Sequence, residues 1–461
     1  MADTFLEMHR VGPLEFQISG PISPVSIRDQ MVRAQMFVDR ARAGGLISDK
    51  RSLFVLGAGA AGVTAAVYAS SLQIPTTLIE MSDRAFGRQK QCLSRWIDPT
   101  QYDWPAYHWQ RAVYPWTVPR VPIPWRAAYA NHIAGMWMHE FRNEQLRRGS
   151  VLNVEYERQF IDSVYLQTSE LLEVETAPVA DPQASVKRPF GAALYALGFG
   201  AESSRCGDFK SFDFWETDDL VHPNLNLPDA DRQRRVLICG DGDGALQDFL
   251  RIATGIDSAA AIWSRIGHPL NPNELNEIFT EGDQAHRAGL WNDRKQNHAV
   301  HMRWDFFLRR VAGNILSTSY QARPEIDRML SHSGELEILL AHPCDHFTAS
   351  YSLNRFLVHL LLTRAAQAPT PIIHERPRVY VARVEGVSHT CQGKPRDCFG
   401  EEHRVEFGDW PDCRDDRDTN TQSGGNFDAV VLRLGVKAPK PLRELMTLRF
   451  NRHSLPYHPA N

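Results

Sequence analysis

No stretch of the 461 residues approaches the ~18–20 consecutive apolar residues needed to cross a bilayer. The opening residues, Met1–Met8, also lack a basic segment followed by an apolar one. The two absences predict a cytoplasmic protein with no membrane partner. Charge of one sign is lacking as well: 51 Lys and Arg stand against 55 Asp and Glu, a net charge of −4 that gives no drive toward nucleic acid. Cysteine is scarce. The seven residues are odd in number, unevenly spaced and read as reduced thiols, and no Cys-x-x-Cys or Cys-x4-Cys pair exists to run dithiol chemistry. A nucleophile elbow, a Walker loop and paired catalytic acids are all missing.

Metal-binding patterns are equally poor, and no metal is expected. His298, His301 and Asp305 fit one face of a helix, with His286 near in sequence, but such spacing most often marks a solvated helix. His389, Cys391, Cys398, His403 and Cys413 cluster late in the chain, with a Cys–Cys gap wider than zinc ligands usually show.

What the chain does have is glycine in two telling places. Gly57-Ala58-Gly59-Ala60-Ala61-Gly62 comes after the apolar run Leu53–Leu56, and Gly240-Asp241-Gly242-Asp243-Gly244-Ala245 after Val236–Cys239, 183 positions later. A strand that ends in such a loop and turns into a helix aims bare backbone N–H groups at a pyrophosphate. The glycines permit the tight turn and the close approach. Eighteen residues past Gly62, Glu80 closes the next predicted strand, Thr76–Glu80, where a carboxylate can accept both ribose hydroxyls of an adenosine.

At the second loop the side chains of Asp241 and Asp243 are expected to point away from a phosphate and to cap the helix. The run Ala259–Trp263 reads as the next strand, ending in Ser264 and Arg265. A hydroxyl and a guanidinium there suit a 2′-phosphate, so NADPH is preferred, with NADH the other candidate.

These residues resemble flavoproteins with two dinucleotide-binding domains, the group that includes thioredoxin-reductase-like enzymes and flavin-containing monooxygenases. Gly57–Gly62 with Glu80 is similar to their FAD fingerprint, and Glu80–Gly87 is similar to the segment after that fingerprint. Gly240–Ala245 with Asp248 is similar to their NADPH loop. Ala196–Gly200 and Leu432–Gly435 resemble the strand ends at which the chain passes between domains. The resemblance spans roughly residues 50–265 and 370–440, and it implies FAD and a nicotinamide as cofactors, with Gly57–Gly62, Glu80, Met81, Arg88, Gly198, Gly240–Ala245, Ser264, Arg265 and Gly435 near them. Two features of such proteins are missing: a match to the His-containing fingerprint of Baeyer–Villiger and N-hydroxylating monooxygenases, and a Gly-Asp pair after Gly435.

The implied architecture is α/β, with two Rossmann-like doubly wound domains, the second inserted in the first. Expected are a helical arm over 1–50, an FAD domain over 51–200, a nicotinamide domain with a helical insertion over 201–370, and a return to the FAD domain over 371–461. Ser26 with Asp29 starts a helix in the arm that Gly44 stops, read as surface packing, with a dimerisation arm and hence a homo-oligomer as the other reading. The polar segment Asp412–Gly425 is expected to be a mobile loop.

Six of the eleven tryptophans (96, 104, 109, 116, 125 and 137) lie within 42 residues, among Tyr102, Tyr107, Tyr114 and six prolines. They either pack an extended loop on the core or wall a flavin and stack a planar substrate. Arg88, Lys90 and Arg95 stand where a cation could face a reduced flavin, or are solvated surface. The function implied is an FAD-dependent, NAD(P)H-using oxidoreductase that passes electrons to O2 or a small organic substrate. The rival is a non-catalytic dinucleotide sensor that uses the helical insertion as a partner surface.

Overall fold

The computed structural model describes residues 3–437 apart from 19–25, 100, 102–103, 106–121, 124–125, 199, 228–231, 290–293, 335, 348–349, 368–371, 387–398 and 411–420. The chain divides into two units: residues 1–91, 108–201 and 437–461 form the first, 92–107 and 202–436 the second. The second unit is therefore inserted in the first.

In the first unit a hairpin of β1 (Arg10–Gly12) and β2 (Glu15–Gln17) leads to helix α1 (Ile27–Ala43). A full capping box starts α1: Ser26 accepts from Asp29 N and Asp29 from Ser26 N. After it come β3 (Leu53–Leu56), α2 (Ala60–Ser71), β4 (Thr76–Ile79), α3 (Ala130–Arg148) and β5 (Leu152–Glu155). An antiparallel sheet of β6 (Arg158–Leu166), β7 (Leu171–Pro178) and β8 (Val186–Phe190) precedes β9 (Ala192–Tyr195). The main sheet runs β1-β2-β9-β3-β4-β5, with β2, β9, β3, β4 and β5 parallel. β3 and β9 are buried end to end, as strands covered on both faces must be. The arm is more than surface packing, since β2 pairs with β9 (Glu15 opposite Ala193) and extends the sheet, and α1 lies against α2 and buries most of its length.

The second unit repeats the scheme. Strand β10 (Arg235–Cys239), α4 (Asp243–Thr254), then the helices α5 (Ala259–Arg265), α6 (Pro272–Gly289), α7 (Arg294–Thr318) and α8 (Ala322–Leu330) precede β11 (Glu337–Ala341). Next come α9 (Ser352–Ala366), β12 (Ile373–Arg376), β13 (Val379–Gly386), β14 (Phe399–Asp409) and β15 (Thr421–Leu432). The sheet runs β12-β11-β10-β15-β14-β13; the first four strands are parallel where they meet and the last three antiparallel. Strand order β12-β11-β10-β15 is that of β5-β4-β3-β9. Both units are doubly wound, with the switch point between the strand that leads into the glycine loop and the last parallel strand.

Three expectations change. Of the segment assigned back to the first domain, 371–461, the part up to residue 436 instead belongs to the second unit and supplies β12–β15 to its sheet, because residues 429–432 find their parallel partner in β10 rather than β3, while 437–461 group with the first unit as expected. Ala259–Trp263 is helix, not strand: Ser258 caps it by accepting from Ala261 N, and three alanines favour the helical alternative of a short apolar run. Of the loop over 412–425, residues Thr421–Gly425 are strand; its other residues lie outside the described ones.

Candidate functional site

The first glycine loop is shaped by exclusion. Gly57 has φ +100°, and a Cβ there would sit 2.6 Å from Ala196 O, the carbonyl just past β9. A Cβ on Gly62 would overlap Gly57 O. At Gly59, by contrast, a Cβ meets nothing within 4 Å, and this N-cap of α2 has no side-chain hydrogen bond. The open, uncapped start of a twelve-residue helix is what an approaching phosphate requires.

Glu80 comes directly after β4, half-buried. Its Oε2 accepts Ala58 N at 2.7 Å and its Oε1 accepts Ser82 N and Oγ at 2.9 and 2.8 Å. A carboxylate has about four acceptor positions, so capacity remains for a ribose hydroxyl. Phe86, held at φ +56°, donates its N–H to Ala58 O at 3.0 Å, while its ring packs on Trp137. Ser82 and Phe86 thus fasten the loop, a role the sequence reading missed because a turn conformation leaves no periodic signal. These residues fit an adenosine diphosphate. Gly198 stands past β9 at φ +73°, at the same sheet edge. Met81 and Arg88 are exposed, and Arg88 Nη1 donates to Gly200 O at 3.3 Å.

The second loop is built alike. Gly57 N donates to Ile79 O and Gly240 N to Ala341 O, each at 2.9 Å. A Cβ on Gly240 would overlap Arg433 O, while one on Gly242, the uncapped N-cap of α4, is free. Gly435, at φ +88° past β15, therefore belongs to the second loop's sheet edge, as Gly198 does to the first. Ala245 stands buried where the first loop has Gly62, and a Cβ on Gly244 would lie 3.3 Å from Phe214.

Asp243 does turn away, and it bridges two helices: its carboxylate accepts Tyr351 N (3.1 Å) and Asn354 Nδ2 (2.7 Å) at the start of α9, and Gln247 Nε2 of its own helix at 2.6 Å. Burial pushes its pKa up against these donors. Beneath the loop, Asp248 accepts Arg433 Nε at 2.7 Å and Arg95 Nη1. Arg95 is buried, with its guanidinium 4.1 Å from the Phe214 ring. It is a support for the second loop, neither a free cation nor solvated surface. Ser264 and Arg265 end α5 and do not close the strand beside β10, which is β11.

Two further sequence signals resolve. His301 and Asp305 are buried on α7, not solvated: Asp305 accepts Phe347 N at 2.7 Å, His359 Nε2 at 2.8 Å and Arg355 Nε. Burial pushes Asp305 up, but Arg355 and His359 outweigh it and hold the carboxyl below the usual range. Among the described residues no group of three or more His, Cys, Asp or Glu is arranged for a metal. Of the aromatic segment, Trp104 is core, stacked on Phe356 and edge-on to Trp263, and Trp137 is buried in α3. Trp109, Trp116, Trp125, Tyr102, Tyr107 and Tyr114 lie outside the described residues. Cys92, Cys206 and Cys239 are buried free thiols. No helix is long and apolar enough to cross a membrane among the described residues.

No family model and no curated protein matches the chain. Solved structures do. It is similar to the bacillithiol disulfide reductase Bdr of Bacillus cereus (11% identity over 84% of this chain and 78% of that one, TM-score 0.41). It is also similar to the thioredoxin reductase of T. acidophilum (10%, 87% and 82%, 0.39) and to the FAD-bound cadaverine monooxygenase of Erwinia amylovora (9%, 84% and 79%, 0.40).

Proposed function

We propose that the protein is an FAD-dependent oxidoreductase that takes reducing equivalents from a nicotinamide dinucleotide. The observation that carries this reading is the repeated loop. Each unit sets an uncapped helix start at its switch point, with the first glycine pressed on a neighbouring strand's carbonyl and the third position (Gly59, Gly242) open. FAD is assigned to the first loop, where Glu80 stands ready for a ribose. Gly57 to Gly62 would hold the pyrophosphate, Glu80 the adenosine.

Bound there, a flavin supplies two-electron chemistry between a nicotinamide and O2 or a small organic acceptor. The chain's own part is to bind, orient and neutralise: backbone N–H groups of α2 and α4 offset phosphate charge, and Asp243 keeps its carboxylate off the second loop. Without a Cys-x-x-Cys pair, a monooxygenase or oxidase accounts for the sequence better than a disulfide reductase. Purified protein should be yellow, with bands near ~370 and ~450 nm that a reduced nicotinamide bleaches. A colourless preparation that takes up no added FAD overturns the reading.

A nucleotide-gated effector is the second reading, favoured by the four helices α5–α8 that separate α4 from β11. It requires stoichiometric cofactor without turnover and a ligand-dependent change of oligomeric state.

A further inference from the structure

Residues 92–107 lie in sequence between two stretches of the first unit, yet they belong to the second. Arg95, expected beside a flavin, therefore serves the other nucleotide loop. Its buried guanidinium donates from Nε to Phe214 O at 2.8 Å and from Nη1 and Nη2 to the two oxygens of Asp248, and Nη2 also lies 3.2 Å from Asp218 Oδ2. Asp218 accepts both Nη groups of Arg251, at 3.0 and 2.7 Å, and Arg251 Nη2 donates to Ser94 O at 3.0 Å. Asp248 and Arg251 stand three positions apart on α4, so Ser94, Arg95 and Asp218 grip one face of the helix that the second loop starts.

Phe214 carries the grip to the loop itself. The Arg95 guanidinium lies 4.1 Å from the centre of its ring and the Arg433 guanidinium 5.8 Å, while a Cβ on Gly244 would meet the ring at 3.3 Å. Arg433 Nε holds Asp248 as well, at 2.7 Å, and the Arg433 carbonyl is the one that Gly240 presses on. Burial pushes the Asp248 carboxyl up, but Arg95 and Arg433 outweigh it and hold it below the usual range. The first loop is fastened from its own flank by Glu80 and Phe86, whereas Arg95 reaches Asp248 across 153 positions of sequence.

We propose that Arg95 is a positioning residue for the nucleotide of the second loop: through Asp248 and Phe214 it fixes the tilt of α4 and the place of Gly244, and so where the first N–H groups of α4 meet a diphosphate. This rests on the reading of the second loop as a nicotinamide site. A displacement of about 1 Å takes such donors out of hydrogen-bond range, so a side chain that touches no ligand can govern affinity. Lysine does not replace it, because a single ammonium lacks the planar fork that reaches Phe214 O and Asp248 together.

Calorimetric titration of the full-length, FAD-saturated protein with NAD+ and with NADP+, well below the melting temperature of each variant, tests it. Arg95→Lys should weaken whichever of the two the wild type binds by roughly tenfold or more, with FAD affinity held within about twofold. Asp248 keeps Arg433 and Arg251 in that variant, so its charge is not left unpaired. Phe214→Leu leaves every ion pair in place and should weaken the same nucleotide by about fivefold. Unchanged nucleotide affinity in Arg95→Lys, whatever its melting temperature, makes the residue structural only and overturns the inference; an equal loss of FAD affinity overturns it too. If Arg95→Lys does not fold, Phe214→Leu decides in the same way. Wild-type protein that retains FAD and binds neither NAD+ nor NADP+ overturns the nicotinamide reading and the inference with it.

Discussion

The Glu80 carboxylate accepts the backbone N–H of Ala58 at 2.7 Å, so the end of β4 holds the glycine loop in shape before any nucleotide arrives. Glu80→Gln keeps an acceptor and loses the charge, whereas Glu80→Ala loses both. We expect Glu80→Ala to cost about 1–2 kcal/mol of stability and to weaken FAD binding tenfold or more, with Glu80→Gln in between. Thermal unfolding and an FAD titration measure the two effects separately.

Gly59 and Gly62 offer a sharper contrast. A methyl group at Gly59 meets open space, whereas one at Gly62 overlaps Gly57 O. Gly59→Ala should therefore leave the melting temperature within a degree or two while it abolishes FAD uptake. Gly62→Ala should destabilise the fold by about 1–3 kcal/mol or more. Equal melting curves for the two variants would contradict this account of the loop.

Trp104 is one of the aromatics that the sequence leaves free to line a substrate pocket, and the structure makes it core. Trp104→Ala should cost about 3–5 kcal/mol through the cavity left between Trp263 and Phe356. Denaturant unfolding should register that loss. Full stability with altered substrate preference would restore the pocket-wall reading.

Acid should weaken the protein well above the carboxylate range. Burial and Arg355 take His346 from 6.5 to about 4, and burial and Arg33 take His9 to about 3. Between the folded and unfolded values the unfolded chain binds protons that the folded chain refuses, so stability is complete above pH 6.5 and falls as the pH drops. For His346 alone the loss is about 3 kcal/mol by pH 4. Denaturation at about pH 7.5 and about pH 5 should show it, and His346→Gln should flatten the slope.

Local features were legible in the sequence and distant pairings were not. Both glycine loops, the Ser26–Asp29 capping box and the strands at 53–56 and 76–79 are written in adjacent residues. The place of β2 beside β9 is not, since Glu15 and Ala193 find each other across most of the first unit. The strands after residue 371 could have closed either sheet, because both units end in an antiparallel ribbon and a buried parallel strand. Ala259–Trp263 carries too few residues to separate the two periodicities. For Asp243, the sequence implied a side chain turned aside; only the fold supplies its target, Asn354.

The position of β2 also bears on synthesis of the chain. The strand β2 cannot complete its ladder until residues 193–195 have been synthesised, on the order of 10–40 s after it at ordinary elongation rates. Until then Phe16 has only nearby partners, Arg10 opposite it in the hairpin and the Phe37 ring at 5.1 Å, and a truncation that removed Glu15–Gln17 would delete a rung of the sheet rather than a tail.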